Sequence, residues 1–122
     1  MATVLTNVGE QGVCDFLSAV DQVAFDYVAW GTGAGTAAKG DTTLFTEATE
    51  ARVQGTKSTQ GTGAAAVYQV IGTLTADGSK TITNAGLFNA STVGDLLIKG
   101  DFTGVALVLN DKIEFTFTLD PS

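Results

Sequence analysis

The chain has 122 residues and a formal net charge of −7, with 15 Gly, one Pro, one Cys and no His. This length predicts a single domain with a sizeable core. The negative charge argues against direct binding to nucleic acid, because neutralising phosphates requires patches of Lys and Arg. The lack of His excludes Ser-His-Asp and Cys-His catalytic arrangements, and no apolar run is long enough to predict a membrane span.

The first 22 residues contain a predicted helix at residues 9–20. Asn7 and Glu10 have the spacing of a capping box at its start. Four apolar residues then follow at helical spacing and form one stripe: Val13, Phe16, Leu17 and Val20. The stripe fits either a helix that packs on the core or a docking arm, residues 1–22, that binds a neighbouring protein. The single thiol, Cys14, cannot form an internal disulfide, and we expect it to be buried and inert.

The next part of the chain alternates between strand patterns and loops. Residues 23–30 read as a strand, with Val28 and Trp30 on the face opposite Tyr27 and Ala29. A small-residue loop follows at residues 31–40. Residues 52–58 are polar and predict a weak edge strand.

Asp77 and Gly78 predict a two-residue type I′ turn, because both tolerate positive φ. The flanking residues 67–76 and 79–88 are rich in β-branched and aromatic side chains, so we expect them to pair as an antiparallel hairpin. Both faces of this ribbon carry large apolar groups. We therefore expect other parts of the protein to cover both faces of at least part of it.

The C-terminal third is rich in strand patterns. Residues 112–119 alternate between apolar and polar side chains, which predicts a half-buried antiparallel strand. The inward side chains are Ile113, Phe115, Phe117 and Leu119. Several short strands with frequent turns predict a mainly β fold: an antiparallel β-sandwich or jelly-roll-like domain with a short N-terminal helix, formed by residues 1–122.

Motifs for catalysis or cofactor binding are weak throughout. Residues 61–66 match the loose GxGxxA fingerprint, but they precede a predicted strand, whereas a dinucleotide site needs the loop to follow one. No DxDxDG calcium loop is present. We therefore predict no enzyme activity, no cofactor and no bound metal.

Five stretches resemble small virion structural proteins of tailed bacteriophages. Their order and spacing carry the resemblance, which spans residues 28–119. The stretches are WGTGAGT at residues 30–36, DTTLFTE at 41–47, EAR at 50–52, ITNAGLFNA at 82–90 and LIKGDFTG at 97–104. Such proteins include capsid decoration (cement) proteins and small tail- or fibre-associated proteins, and none of these stretches is catalytic.

The resemblance implies a non-enzymatic part of a virion, made in the bacterial cytoplasm and located on the capsid surface. A cement protein bridges capsid subunits and adds buried area across their seams. We expect the partners to be the major capsid protein and copies of this chain, as a trimer, because symmetric closure multiplies weak contacts. Candidate interface residues come from the helix stripe and from the predicted ribbon: Val13, Phe16, Leu17, Val20, Ile71, Ile82 and Phe88.

Two other functions remain open from the sequence. The first is a tail, baseplate or fibre-associated structural protein, which would share the same resemblance. The second is a stand-alone glycan-binding β module. Its support would have to come from Tyr27, Trp30 and Tyr68, which lie in predicted strands and fit core positions better than a sugar platform.

Overall fold

A computed structural model describes residues 2–121, which form two antiparallel sheets with eight strands in all, one α-helix and one short 3₁₀ helix (Gly63–Ala65). The helix is α1 (Asn7–Leu17). The strands in chain order are β1 (Thr3–Leu5), β2 (Tyr27–Gly31), β3 (Val53–Gln54), β4 (Thr56–Gln60), β5 (Val67–Thr75), β6 (Lys80–Phe88), β7 (Leu96–Leu107) and β8 (Lys112–Leu119). The large sheet has the order β1-β7-β6-β2-β3, and the small sheet has the order β4-β5-β8. The prediction of a mainly β sandwich with an N-terminal helix is confirmed.

The two sheets pack face to face around one apolar core. The Trp30 ring of β2 meets the Phe115 ring of β8 edge-on, with centroids 6.3 Å apart. The sheets approach each other closely at Gly72, where an added Cβ would lie 2.7 Å from a methyl of Val28 in the facing sheet. The alternation predicted for residues 112–119 is confirmed, with Phe117 buried between the sheets.

The predicted hairpin at Asp77 and Gly78 is wrong. β5 pairs with β4 and β8 in the small sheet, whereas β6 pairs with β2 and β7 in the large sheet. The residues between them carry the chain from one sheet to the other. Gly78 does not adopt positive φ, so the turn is not type I′. A turn-forming pair specifies a change of direction, and it does not specify that the strands on its two sides become neighbours.

The chain changes sheets at two other places. Gly55 separates β3 from β4, so the predicted edge strand at residues 52–58 is two short edge strands, one in each sheet. A Cβ on Gly55 would lie only 2.6 Å from a methyl of Val70. The chain can therefore cross between the sheets here because residue 55 has no side chain. The segment from residue 108 to 111 makes the third crossing, from β7 to β8.

Residues 32–52, which we call the covering loop, lie across the outer face of the large sheet. Leu44 of this loop is buried against Phe88 and Leu96 of the sheet. The inner face of β6 meanwhile contributes Ile82 and Leu87 to the core between the sheets. The expectation that both faces are covered is therefore confirmed for β6, although the cover differs from that expected for a hairpin.

The helix begins and ends close to the predicted bounds, and its cap is one residue earlier. Thr6, rather than Asn7, caps the helix, because its Oγ1 accepts a hydrogen bond of 2.9 Å from the Gly9 backbone N–H. At the other end the helix stops after Leu17, since Ala19 adopts positive φ. No helix among residues 2–121 is long and apolar enough to span a membrane.

Candidate interaction surface

Large apolar side chains are exposed where α1 ends and the chain turns towards β2. Phe16 is 42% exposed, Leu17 80%, Val20 76% and Val23 52%. We call these four residues the helix patch. Three of them were predicted as interface residues from the stripe. Several large apolar side chains exposed along one short stretch of chain are typical of interaction sites, whereas single exposed ones need no explanation.

The helix patch is exposed because α1 packs on the protein through its glycines. A Cβ on Gly9 would lie 2.6 Å from the Leu97 carbonyl oxygen of β7, and one on Gly12 would lie 2.6 Å from the Phe25 ring. Val13 of the stripe packs against the core. The glycine face thus lets the helix approach the sheet closely, and most of the apolar stripe points away from the core.

Residues 3–17 are part of the fold and do not form a free-standing arm. β1 pairs with β7 over three residue pairs, from Thr3 with Gly100 to Leu5 with Ile98. The Thr6 hydroxyl donates a hydrogen bond of 2.6 Å to the Leu96 carbonyl oxygen and so joins the start of the helix to β7. Of the predicted docking segment, residues 1–22, the exposed side chains of the apolar stripe therefore remain the candidates for contact with a partner. Met1 lies outside the described residues.

An open apolar cavity of about 230 Å³ lies beside the helix patch. Its walls come from α1, from the segment before β2, from Lys57 of β4, and from the ends of β5, β7 and β8. They include Gly12, Val13, Phe16, Leu17, Phe25, Tyr68, Leu97 and Leu119. The Tyr68 hydroxyl donates to the Phe25 carbonyl oxygen at 2.7 Å, and burial together with the charge of Asp26 raises the pKa of Tyr68 to about 12. The cavity therefore presents mainly hydrocarbon.

Three carboxylates stand next to this cavity. Asp15, Asp21 and Asp95 line a small polar hollow that shares Gly12 and Phe25 with the cavity. We call these three residues the acidic rim. None of the ion pairs within residues 2–121 involves them. The rim is thus a local excess of negative charge at the border of an apolar surface.

The remaining predicted interface residues do not share this surface. Ile71 is 37% exposed and lies on β5, in the small sheet. Ile82 and Phe88 are buried inside the chain, so the prediction that they contribute to an interface is wrong. Ile82 packs between the sheets and Phe88 packs under the covering loop. Both residues were proposed from the predicted ribbon, in which they share a face with Ile71, and β5 and β6 do not form that ribbon.

A second exposed apolar group was not predicted as an interface. Val105, Val108 and Leu109, which we call the far patch, lie at the end of β7 and in the crossing to β8. Leu119 at the other end of β8 lines the cavity, so the two patches are separated by the length of that strand, roughly 23 Å. Within the described chain, β8 pairs with β5 alone and its other edge has no partner strand.

The stretches that carry the resemblance hold the covering loop on the large sheet. The Asn84 amide accepts a hydrogen bond from the Phe45 backbone N–H at 3.0 Å and donates to the Phe45 carbonyl at 3.1 Å. Lys99 is 1% exposed and donates to Asp41 at 3.0 Å and to the Thr43 carbonyl at 2.8 Å. These bonds satisfy buried polar groups and fix the loop.

Two further side chains fasten the end of the covering loop. Arg52 makes a bidentate ion pair with Glu47, with both N···O distances at 2.9 Å, and its guanidinium lies over the Phe88 ring. Glu50 accepts hydrogen bonds from Trp30 Nε1 at 3.1 Å and from the Asp77 backbone N–H at 3.0 Å, and it pairs with Lys80. Burial raises the pKa of Glu50, but these donors outweigh burial and bring it to about 2.

The positions of the Cys, Asp and Glu side chains bear on metal binding, and those of the aromatic rings bear on sugar binding. No group of three or more Cys, Asp or Glu side chains that could hold a metal ion occurs in residues 2–121. Cys14 is exposed on α1, so the expectation of a buried thiol is wrong. Trp30 is buried and Tyr68 is partly buried with its hydroxyl engaged. These two rings therefore do not form an open platform for a sugar.

Comparisons of the chain with protein families, with characterised proteins and with solved structures give no match.

Proposed function

We propose that this protein is a non-enzymatic structural component of a tailed-phage virion, most specifically a decoration protein on the outer surface of the capsid. The observation that carries the proposal is the helix patch beside an open apolar cavity, on a sandwich whose core is otherwise well covered. Such a surface suits attachment to another protein. The resemblance of residues 28–119 to small phage virion proteins is the reason for proposing that this other protein belongs to a phage virion.

The mechanism would be the addition of contact area across the seams between capsid subunits. Packaged DNA strains the subunits apart, and a protein that binds only the closed shell stabilises that state by mass action. Interfaces of this kind bury on the order of 1,000 Å² or more. The far patch and the free edge of β8 support contacts between copies of this chain, in a trimer, while the helix patch faces the capsid subunit.

The proposal predicts many copies of the protein on each head. Heads and tails of the virion should be purified separately and the copies per particle counted by quantitative mass spectrometry. Heads produced without the protein should release their DNA at a lower temperature than complete heads, as followed by a DNA-binding dye during heating. A matched preparation with the protein added back should regain the original release temperature.

The opposite result would favour the tail alternative. A few copies per particle, found on purified tails and missing from tailless heads, would overturn the assignment to the capsid surface.

A further inference from the structure

We propose that the helix patch and its cavity bind a basic segment of another protein, with large apolar side chains entering the cavity and Lys or Arg side chains meeting the acidic rim. The inference rests on the proposed function only in identifying that partner with a capsid subunit. The chemistry of the segment follows from the surface itself.

The size and lining of the cavity favour protein side chains over a small-molecule ligand. Its volume of about 230 Å³ lies below the roughly 300–1,000 Å³ common for small-molecule sites. The polar side chains on its wall are already engaged: Tyr68 donates to the Phe25 carbonyl, and Lys57 donates to Asp26 at 3.0 Å. A small ligand would therefore find few polar groups to orient it. One or two large apolar side chains of a protein segment would need no polar groups in the cavity to orient them.

The charge around the cavity favours a basic segment. The chain has only six basic residues. Five of them make ion pairs with other carboxylates: Lys39, Arg52, Lys57, Lys80 and Lys99. The sixth, Lys112, donates to Thr75. Within residues 2–121, none of the six therefore forms an ion pair with Asp15, Asp21 or Asp95, and a partner with Lys or Arg beside its apolar residues would supply such pairs.

The same charge argues against two other occupants. In a symmetric dimer formed through this surface, the acidic rims of the two copies would lie close together and repel each other. An anionic membrane surface would likewise be repelled by the three carboxylates. A basic amphipathic segment is the occupant for which both the apolar and the charged parts of the surface contribute favourably.

The test uses the full chain and a fluorescein-labelled synthetic peptide in which Leu and Phe on one side are flanked by Lys. Fluorescence anisotropy should show saturable binding. Two peptides serve as controls, one with Glu in place of Lys and one with Ser in place of Leu and Phe. We expect both to bind at least about tenfold more weakly, because each lacks one half of the proposed recognition.

Variants of the protein locate the binding. Leu17→Ser should weaken binding of the Lys peptide by about tenfold or more, as expected for a central apolar contact. The double variant Asp15→Asn with Asp21→Asn should weaken it by roughly threefold to tenfold and reduce its dependence on salt. The matched controls are Leu109→Ser in the far patch and Glu114→Gln on β8, both at exposed positions, and they should bind like the parent.

Several outcomes would overturn the inference. Equal binding of the Lys and Glu peptides, or equal losses in Leu17→Ser and Leu109→Ser, would show that the helix patch is not the site. Self-association abolished by Leu17→Ser in sedimentation velocity would assign the surface to a second copy. Sedimentation with vesicles of phosphatidylcholine and phosphatidylglycerol, lost in the same variant, would assign it to a membrane.

The inference and the proposed function fail separately. If the peptides behave as expected and purified heads lack the protein, the assignment to the capsid is wrong and the binding surface stands. If heads carry as much of the Leu17→Ser variant, and as much of the double variant Asp15→Asn with Asp21→Asn, as of the parent protein, the capsid assignment stands and the surface is wrong.

Discussion

The covering loop and the helix patch are built on opposite principles. Beneath the covering loop, polar side chains of the large sheet such as Asn84 and Lys99 are buried and hydrogen-bonded to the loop, and Leu44 of the loop is buried against the sheet. At the helix patch, apolar side chains such as Leu17 are exposed, and the carboxylates of the acidic rim form no ion pair with any described residue. The first region maintains the fold, and the second has surface left for a partner. The conspicuous sequence motifs belong to the first.

The strongest test of this contrast compares two phenylalanines. Phe88→Ala should lower the free energy of unfolding by about 3–5 kcal/mol, because the ring is 1% exposed and its removal leaves a cavity under the covering loop. Phe16→Ala should cost less than about 1 kcal/mol, because that ring is 42% exposed. Urea unfolding followed by tryptophan fluorescence measures both. Similar losses of unfolding free energy in the two variants would contradict the conclusion that the covering loop maintains the fold and the helix patch does not.

A smaller effect is expected at Glu50, which joins the covering loop to Trp30 and Lys80. Glu50→Gln should cost about 3 kcal/mol at neutral pH, because Lys80 then loses a carboxylate partner that is only 7% exposed. Folding lowers the pKa of this carboxyl from 4.5 to about 2. Its stabilisation is therefore present above about pH 4.5 and is lost as pH falls from there towards 2.

The pH dependence provides the check on that interpretation. Unfolding free energies measured between about pH 6 and pH 2.5 should fall more steeply for the parent than for Glu50→Gln, because the variant lacks the titrating group. Parallel curves for the two proteins would show that the Glu50 cluster does not contribute as described. Glu114→Gln, an exposed change on β8, serves as the control.

The smallest effect is expected at Gly78, next to the Asp77 amide that Glu50 binds. Gly78→Val should change stability by less than about 0.5 kcal/mol, because the residue lacks positive φ and a Cβ there meets no atom within 4 Å. Gly94→Val is the matched comparison. Gly94 has φ of +68° and a Cβ there would lie 2.6 Å from Asn89 Oδ1, so we expect a loss of about 1–3 kcal/mol. A large loss of stability in Gly78→Val would contradict this account and would indicate that Gly78 adopts positive φ in a type I′ turn.

Much of the fold could be predicted from local patterns because those patterns record burial. The alternation from Lys112 to Leu119 reports which side of β8 faces the core, and the two faces of β2 follow in the same way. Pairing between distant strands leaves no such local record. The pattern around Asp77 and Gly78 therefore predicts two strands correctly and their partnership wrongly.

The candidate surface was predicted only in part, for a related reason. The helical spacing of Phe16, Leu17 and Val20 identifies an apolar stripe, but the sequence does not state which face of a helix packs. Gly9 and Gly12 were the available signal, because two glycines in one helix indicate a close approach that offsets their poor helix propensity. The burial of Lys99 was also missed, since its partners Asp41 and Thr43 lie more than fifty residues away.

The three crossings between the sheets affect how the chain folds. Each sheet is assembled from segments that are interleaved along the sequence, so neither sheet can form from one continuous stretch of chain. Sandwiches dominated by such distant pairings fold in milliseconds to seconds, more slowly than helical proteins of similar size. During synthesis the core has to wait for β8, which supplies Phe115 and Phe117. Until then the apolar faces of β2 and β5 lack part of their cover, and the growing chain is most exposed to aggregation at that stage.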